Sequence, residues 1–122
     1  MYKQLIITGA ICAFLGVSLG AFAAHGLKQH LGEYELAIWQ TAVNYQMYHA
    51  LGLILIGLLS NSLSINLARP GWTMFAGILL FSGSLYILSL TGIKALGMIT
   101  PIGGLCFLVA WLWVAATVIK TK

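Results

Sequence analysis

The chain has 122 residues, of which 61% are hydrophobic and only 7% are charged, and its mean hydropathy is +0.99. About a quarter of the residues in a soluble domain are charged, so this composition excludes a water-soluble globule. The formal net charge of +4 comes from six scattered basic residues that form no patch, which argues against a nucleic-acid partner. The natural solvent for such a chain is the lipid bilayer.

Four apolar stretches are long enough to cross a membrane as helices, since a span needs about 20 residues. In chain order they are residues 4–24, 37–60, 72–93 and 97–119. The apolar runs are unbroken, whereas barrel strands alternate, so they predict helices. The sequence therefore predicts an all-α integral membrane protein, a multi-pass bundle of four transmembrane helices in one domain, residues 1–122.

The predicted connections are short. The first runs from Lys28 to Glu35 and holds both acidic residues of the chain, and the second, 61–71, is closed by Pro70. A tight turn around Lys94 leads to Pro101, which suits the start of the last span.

Orientation follows from the basic residues at the ends of the spans. One side has four, Lys3, Arg69, Lys120 and Lys122, and the other has two, Lys28 and Lys94. The positive-inside rule then predicts a plasma-membrane protein with both termini in the cytoplasm. The first span also looks like a signal peptide with Ala21-Phe22-Ala23 as its cleavage site; cleavage would leave three spans, but the glycine spacing of this helix favours a permanent one.

Small residues form stripes along the spans. They are Gly9, Ala13, Gly16 and Gly20 in the first, Gly77 and Ser84 in the third, and Gly104 in the fourth. Small side chains let two helix backbones approach closely, which is how helices associate inside a membrane. The stripes predict either contacts within the bundle or an interface of a homo-oligomer, and the sequence does not separate the two.

The second span carries the most informative polar residues. At 100° per residue, Gln40, Thr41, Asn44, Tyr45 and Tyr48 share an arc of about 140°, His49 lies at its edge, and Gln46 points elsewhere. Polar side chains at this depth are expensive unless they are paired or hydrated, so the arc is expected to face the bundle interior or a water-filled vestibule. Its role is either a hydrogen-bond network that fixes helix register or a site for a ligand, ion or proton. The candidate functional cluster is His25, Gln40, Asn44, Tyr45, Gln46, Tyr48 and His49.

Cofactor and catalytic chemistry have little support. His25 and His49 come from adjacent helices but lie at different depths, so we expect neither a metal nor a haem between them. Cys12 and Cys106 fall inside apolar spans and are expected to be free thiols. The only carboxylate side chains, Glu33 and Glu35, lie in a predicted loop, so no catalytic set can be built and we expect no enzyme.

Several segments resemble a known family. They are residues 20–28 (GAFAAHGLK), 45–51 (YQMYHAL), 81–86 (FSGSLY) and 99–104 (ITPIGG). Together they are similar to small bacterial membrane proteins of the YwdK and YgdD type, the family called "domain of unknown function 423", over essentially the whole chain. The resemblance implies a four-helix plasma-membrane protein of uncharacterised function and supplies no catalytic residues.

Three hypotheses of function remain. The first is a structural or accessory protein that binds a membrane-protein partner or itself in the bilayer. The second is a small oligomeric channel or carrier built around the polar face of the second helix. The third is a cofactor protein that uses His25 and His49.

Overall fold

The computed structural model describes residues 2–121, and every regular element within them is helical. The helices are α1 (Tyr2–His25), α2 (Glu33–Ser62), α3 (Ala68–Gly77), α4 (Gly83–Thr91) and α5 (Thr100–Ile119). A π-helical turn at Ile78–Ser82 joins α3 and α4 into one continuous helix, Ala68–Thr91, called the third span below. Short 3-10 helices, Leu27–Gln29 and Lys94–Met98, precede α2 and α5. Four helical segments are long and apolar enough to cross a membrane, which confirms the predicted number of spans.

The first connection is shorter than predicted. Glu33 and Glu35 belong to the first turn of α2 and not to a loop. Carboxylates stabilise a helix N-terminus because the unpaired backbone N–H groups there carry partial positive charge. The Glu35 carboxylate accepts a hydrogen bond of 3.1 Å from the backbone N–H of Gly32, which caps the helix.

The other boundaries shift for similar local reasons. The third span begins at Ala68, four residues earlier than predicted, with Pro70 in its first turn, where no backbone donor is needed. It ends at Thr91 and is followed by Gly92, whose φ of 71° gives a left-handed cap that glycine adopts without strain. The fourth span, Lys94–Ile119, consists of the second 3-10 helix followed by α5. Pro101 lies in the first turn of α5, as expected.

The central helix of the bundle is α2. Half (50%) of its most apolar stretch is buried, against 22% for α1 and 22% for the last span. It meets α1 through Met47 and α5 through His49, while its Ala42 carbonyl accepts a hydrogen bond from Ser82 of the third span. Three helices therefore cover α2 from three sides.

The stripe of small residues on α1 lies against α2. A Cβ atom on Gly9 would come within 2.7 Å of the Ala50 carbonyl oxygen, and one on Gly16 within 2.6 Å of the Met47 sulfur. Gly20 follows against Val43, so the two helices run antiparallel. Their midpoints meet near residues 13 and 48, which places the middle of α2 at the middle of the membrane-spanning region.

The predicted small residues of the other spans also lie at helix contacts. Gly77 faces the ring of Phe107, and the Ser84 hydroxyl lies 2.6 Å from that of Thr100. On α5 the close approach is made by Gly103, against the backbone of Phe81 in the π-helical turn. The predicted Gly104 has more room, because a Cβ there would lie 3.8 Å from its nearest neighbour.

The remaining predicted features concern the last residue and the two cysteines. Lys122, which enters the predicted count of basic residues, lies outside the described residues. The Cys12 and Cys106 thiols are both free. At the end of the bundle where α1 passes to α2, a small apolar cluster surrounds Trp39, whose indole N–H donates to the Leu19 carbonyl over 2.9 Å. This cluster locks the first helical hairpin.

Candidate functional site: the two polar sides of α2

The predicted polar cluster splits into two sets that lie on different sides of α2. Gln46 and His49 are only 5% exposed and point into the bundle. Gln40, Thr41, Tyr45 and Tyr48 are exposed, and Asn44 is half-buried. Of the two surroundings expected for this arc, the bundle interior is wrong for the chain on its own, because α1, α5 and the third span cover the other sides of α2. The water-filled vestibule stays a prediction.

Gln46 bonds to two other helices. Its amide nitrogen donates to the Cys12 carbonyl of α1 over 2.8 Å, and its amide oxygen accepts from the Tyr86 hydroxyl of the third span over 2.6 Å. The Tyr86 ring in turn packs edge-on against Trp39, with centroids 4.7 Å apart. One amide thus fixes the relative register of three helices. The sequence predicted such a network as one of two roles for the polar arc, whereas these bonds are made by Gln46, which lies outside that arc.

Both ring nitrogens of His49 are hydrogen-bonded. Nδ1 lies 2.7 Å from the Tyr45 carbonyl oxygen and therefore carries the proton, and Nε2 accepts from the Trp111 indole N–H over 3.1 Å. The imidazole also stacks on the Phe107 ring, with centroids 3.5 Å apart and planes 5° from parallel. Because an indole can only donate, this arrangement holds the imidazole neutral and leaves it no free lone pair for a metal.

His25 is not part of this arrangement. It ends α1 and is exposed, whereas the level of His49 corresponds to about residue 13 of α1. Twelve residues of helix separate these levels by roughly 18 Å, so the two imidazoles cannot share an iron or a zinc ion. Among residues 2–121, no group of three or more His, Cys, Asp or Glu side chains is placed to hold a metal.

The outward set has few partners within the chain. The Gln40 amide nitrogen donates to the Asn44 amide oxygen over 2.9 Å, and the Thr41 hydroxyl donates to the Ala37 carbonyl over 3.0 Å. Tyr48 is 59% exposed. The Tyr45 ring packs on Phe81 at 4.8 Å between centroids, so this residue borders both sets. The polar side chains of this side therefore look away from their own bundle.

The sequence missed several residues that hold the inward network together. Ser82 and Ser89 of the third span donate to backbone carbonyls of α2, over 2.7 Å to Ala42 and 3.1 Å to Glu35. Tyr86 and Trp111 are the side-chain partners of the two inward polar groups. The spacing of seven residues between the two serines puts them on one helix face and was the available signal.

A groove of about 450 Å³ separates α1 from the third span. Its walls are mostly aliphatic and aromatic, with Gln46, Ser82 and Tyr86 among the lining residues. The side-chain oxygen of Gln46 and the hydroxyls of Ser82 and Tyr86 all take part in the bonds described above. The polar side chains of the outward set, which form no hydrogen bond to another helix, lie on the opposite side of α2.

These features define a multi-pass helical membrane protein whose buried polar side chains are hydrogen-bonded between its helices. A family model described as "Protein of unknown function (DUF423)" matches residues 19–104, and the chain belongs to that family. It is 52% identical to a UPF0382 membrane protein of Staphylococcus haemolyticus over 118 residues, 97% of each chain. It is 51% identical to the UPF0382 membrane protein YwdK of Bacillus subtilis over 120 residues, 97% of this chain and 98% of the relative. No solved structure matches significantly. The resemblance seen in the sequence is confirmed, and the family has no assigned molecular function.

Proposed function

We propose that this protein is an accessory protein of the plasma membrane that has no catalytic activity and acts by binding a protein partner within the bilayer. One observation carries this proposal: Thr41, Asn44 and Tyr48 point away from the bundle at membrane depth. Polar groups facing hydrocarbon cost free energy, and intramembrane polar residues normally face protein or water. A partner that covers this side of α2 would remove that cost.

The inward polar groups support a structural role. Gln46 bonds to two other helices, and His49 bonds to Trp111 of α5 and to the Tyr45 carbonyl of its own helix. No buried side-chain nitrogen or oxygen of the described residues lacks a partner. A reactive site needs a group that is free to exchange a proton or bind a substrate. The buried polar side chains of this bundle are instead hydrogen-bonded to other side chains or to backbone carbonyls.

The outward side of α2 favours a protein partner over a water path. Towards the second connection this side continues with Leu51, Leu55 and Leu58, all more than half exposed. A channel or carrier assembled around α2 would need polar groups across the whole bilayer. A face that is polar in one half and aliphatic in the other suits helix–helix contact better.

We place both termini in the cytoplasm. Lys3, Arg69 and Lys120 lie at one end of the bundle, and Lys28 and Lys94 lie at the other. The positive-inside rule assigns the first of these ends to the cytoplasm. A fluorescent protein fused to the C-terminus is expected to be fluorescent, and a periplasmic-type phosphatase fused at the same point is expected to be inactive.

Photo-crosslinking in native membranes tests the proposed function. A diazirine amino acid replaces Tyr48 on the outward side of α2, and in matched variants it replaces Phe14 of α1 or Leu112 of α5. All three lie near mid-membrane and are well exposed, by 59%, 69% and 72%. We expect a discrete protein adduct from position 48 and lipid adducts from the two controls.

Two other results would overturn the proposal. Lipid adducts alone from position 48 would overturn the proposal, because lipid would then cover the polar side of α2. Protein adducts of equal intensity from all three positions would also overturn it, since they would reflect crowding in the membrane.

A further inference from the structure

The outward side of α2 repeats every 3.5 residues along its length. Its positions are separated by alternating steps of four and three: Ala37, Thr41, Asn44, Tyr48, Leu51, Leu55 and Leu58. Six of the seven are exposed and Asn44 is half-buried. We call this row the α2 seam. A repeat of 3.5 residues is the pattern by which two helices pack along each other in a left-handed coiled coil.

The seam is accessible to another helix. At 100° per residue it lies roughly opposite Gln46, whose side chain meets the third span. On its two flanks, α1 contacts α2 at Val43 and Met47, and α5 contacts it at Gly52. A second helix can therefore lie along the seam between α1 and α5 without displacing any helix of the bundle.

Asn44 is the polar member of the seam that is best suited to pair with itself. Its amide oxygen already accepts a bond from Gln40, which turns the amide nitrogen and its two donors away from that bond. An amide has both donors and acceptor sites, so two Asn side chains can bond reciprocally. A single Asn in a row of this kind fixes the register of parallel helix pairs, and amides also join helices inside membranes.

We propose that the partner is a second copy of this chain, packed seam to seam with the α2 helices parallel and the two Asn44 side chains hydrogen-bonded. This inference rests on the proposed function, because it names the partner of the same surface. Copies inserted in the same orientation can be related by a two-fold axis along the membrane normal, and each seam residue then meets its own counterpart. Thr41 and Tyr48 flank the Asn44 pair, and the leucines fill the other half of the interface.

Cysteine crosslinking in native membranes tests the geometry. In a background with Cys12→Ala and Cys106→Ala, single cysteines replace Tyr48 or Leu55 on the seam and, as controls, Phe14 or Leu112. Oxidation is expected to give disulfide-linked dimers from the seam positions and monomers from the controls. A scan of consecutive positions from 47 to 55 is expected to peak at 48, 51 and 55, and a flat profile would overturn the proposal.

The role of Asn44 is tested in the Leu55→Cys reporter. Asn44→Leu is expected to weaken dimerisation about tenfold, since an intramembrane amide contact contributes on the order of one such factor. Asn44→Gln, which keeps the amide, is expected to retain most of the dimer. Gln4→Leu removes an exposed amide from α1 outside the seam and is expected to change nothing. Equal dimerisation in all three variants would overturn the Asn44 contact.

Photo-crosslinking from Tyr48 separates the two proposals. An adduct with twice the mass of the chain supports both. An adduct with a different protein keeps the proposed function and overturns the dimer, and lipid adducts alone overturn both. Helix content and the thermal unfolding midpoint of each variant are measured in parallel, so that a misfolded chain is not counted as a lost dimer.

Discussion

The two sides of α2 carry similar chemistry at similar depth. On the inward side, Gln46 bonds to α1 and to the third span, and His49 bonds to α5. On the outward side, Asn44 bonds only to Gln40 of its own helix, and the Tyr48 ring is largely exposed. Amides and aromatic polar groups occur in both sets, so the difference between the sides is in their partners.

This difference separates what holds the chain together from what is available to another molecule. An unpaired polar group inside a protein costs about 1–3 kcal/mol, and the inward side has removed that cost by bonding across helices. The polar groups on the outward side form no hydrogen bonds to other helices. Substitutions on the inward side should therefore reduce the stability of the single chain, whereas substitutions on the outward side should affect only what the chain binds.

The largest effect is expected from Gln46→Leu. This change removes the partner of the Tyr86 hydroxyl and one bond to the Cys12 carbonyl, and it should lower the free energy of unfolding by about 2–3 kcal/mol. The measurement is reversible unfolding in mild detergent. Gln40→Leu, an amide removed from the outward side, is the matched control and should cost less than about 0.5 kcal/mol.

The Tyr86 hydroxyl, which loses its acceptor in Gln46→Leu, gives a second test. Tyr86→Phe should cost less in the Gln46→Leu background than in the parent chain, because the hydroxyl has already lost its partner. Additive costs would show that the two side chains do not act as one unit.

A smaller effect is expected where the α1 stripe meets the inward part of α2. Gly9→Ala places a methyl group against the Ala50 carbonyl, which belongs to rigid helix backbone, and should cost about 1–2 kcal/mol. Gly16→Ala meets the flexible end of Met47 instead, so the higher helix propensity of alanine, about 1 kcal/mol, should offset most of the strain. Equal costs at the two glycines would contradict the register of α1 on α2.

His49→Phe should have a smaller effect again. A phenyl ring keeps the stack on Phe107 but leaves the Trp111 indole N–H without an acceptor, and about 1 kcal/mol of stability should be lost. The ring nitrogens of the parent protein give a second test by nitrogen NMR. The imidazole should be the neutral tautomer protonated at Nδ1, and a spectrum of the doubly protonated ring would contradict the bond from Trp111.

Much of the fold follows from the sequence alone because the membrane imposes simple rules. Apolar length set the number of spans, and Pro70 and Pro101 marked helix starts through their missing N–H groups. The glycines of α1 lay on one face, as their spacing predicted. The errors concern details that depend on neighbours: which of Gly103 and Gly104 touches the third span is decided by the rotation of α5.

The candidate site was harder to predict for a physical reason. Periodicity gives the angular position of each residue on α2 but not the directions in which the other three helices lie. The polar arc was therefore expected to face the bundle interior or a water-filled vestibule, although Gln46, the amide outside that arc, is the one that faces inward. The spacing of Ser82 and Ser89 was an available signal for the α2-facing side of the third span, but the sequence does not show that Ser82 bonds to Ala42 or Tyr86 to Gln46.

The smallest effect on the single chain is expected from Asn44→Leu. In detergent that separates the copies, the unfolding midpoint should match that of the parent, because the only bond lost is the exposed one from Gln40, which contributes less than about 0.5 kcal/mol. Asn44→Leu adds apolar surface on an exposed side, so a slight stabilisation is equally consistent. The same variant should weaken dimerisation about tenfold in native membranes. A loss of more than about 1 kcal/mol in the separated chain would show that Asn44 stabilises its own bundle. Both sides of α2 would then contribute to the stability of the single chain, by different amounts.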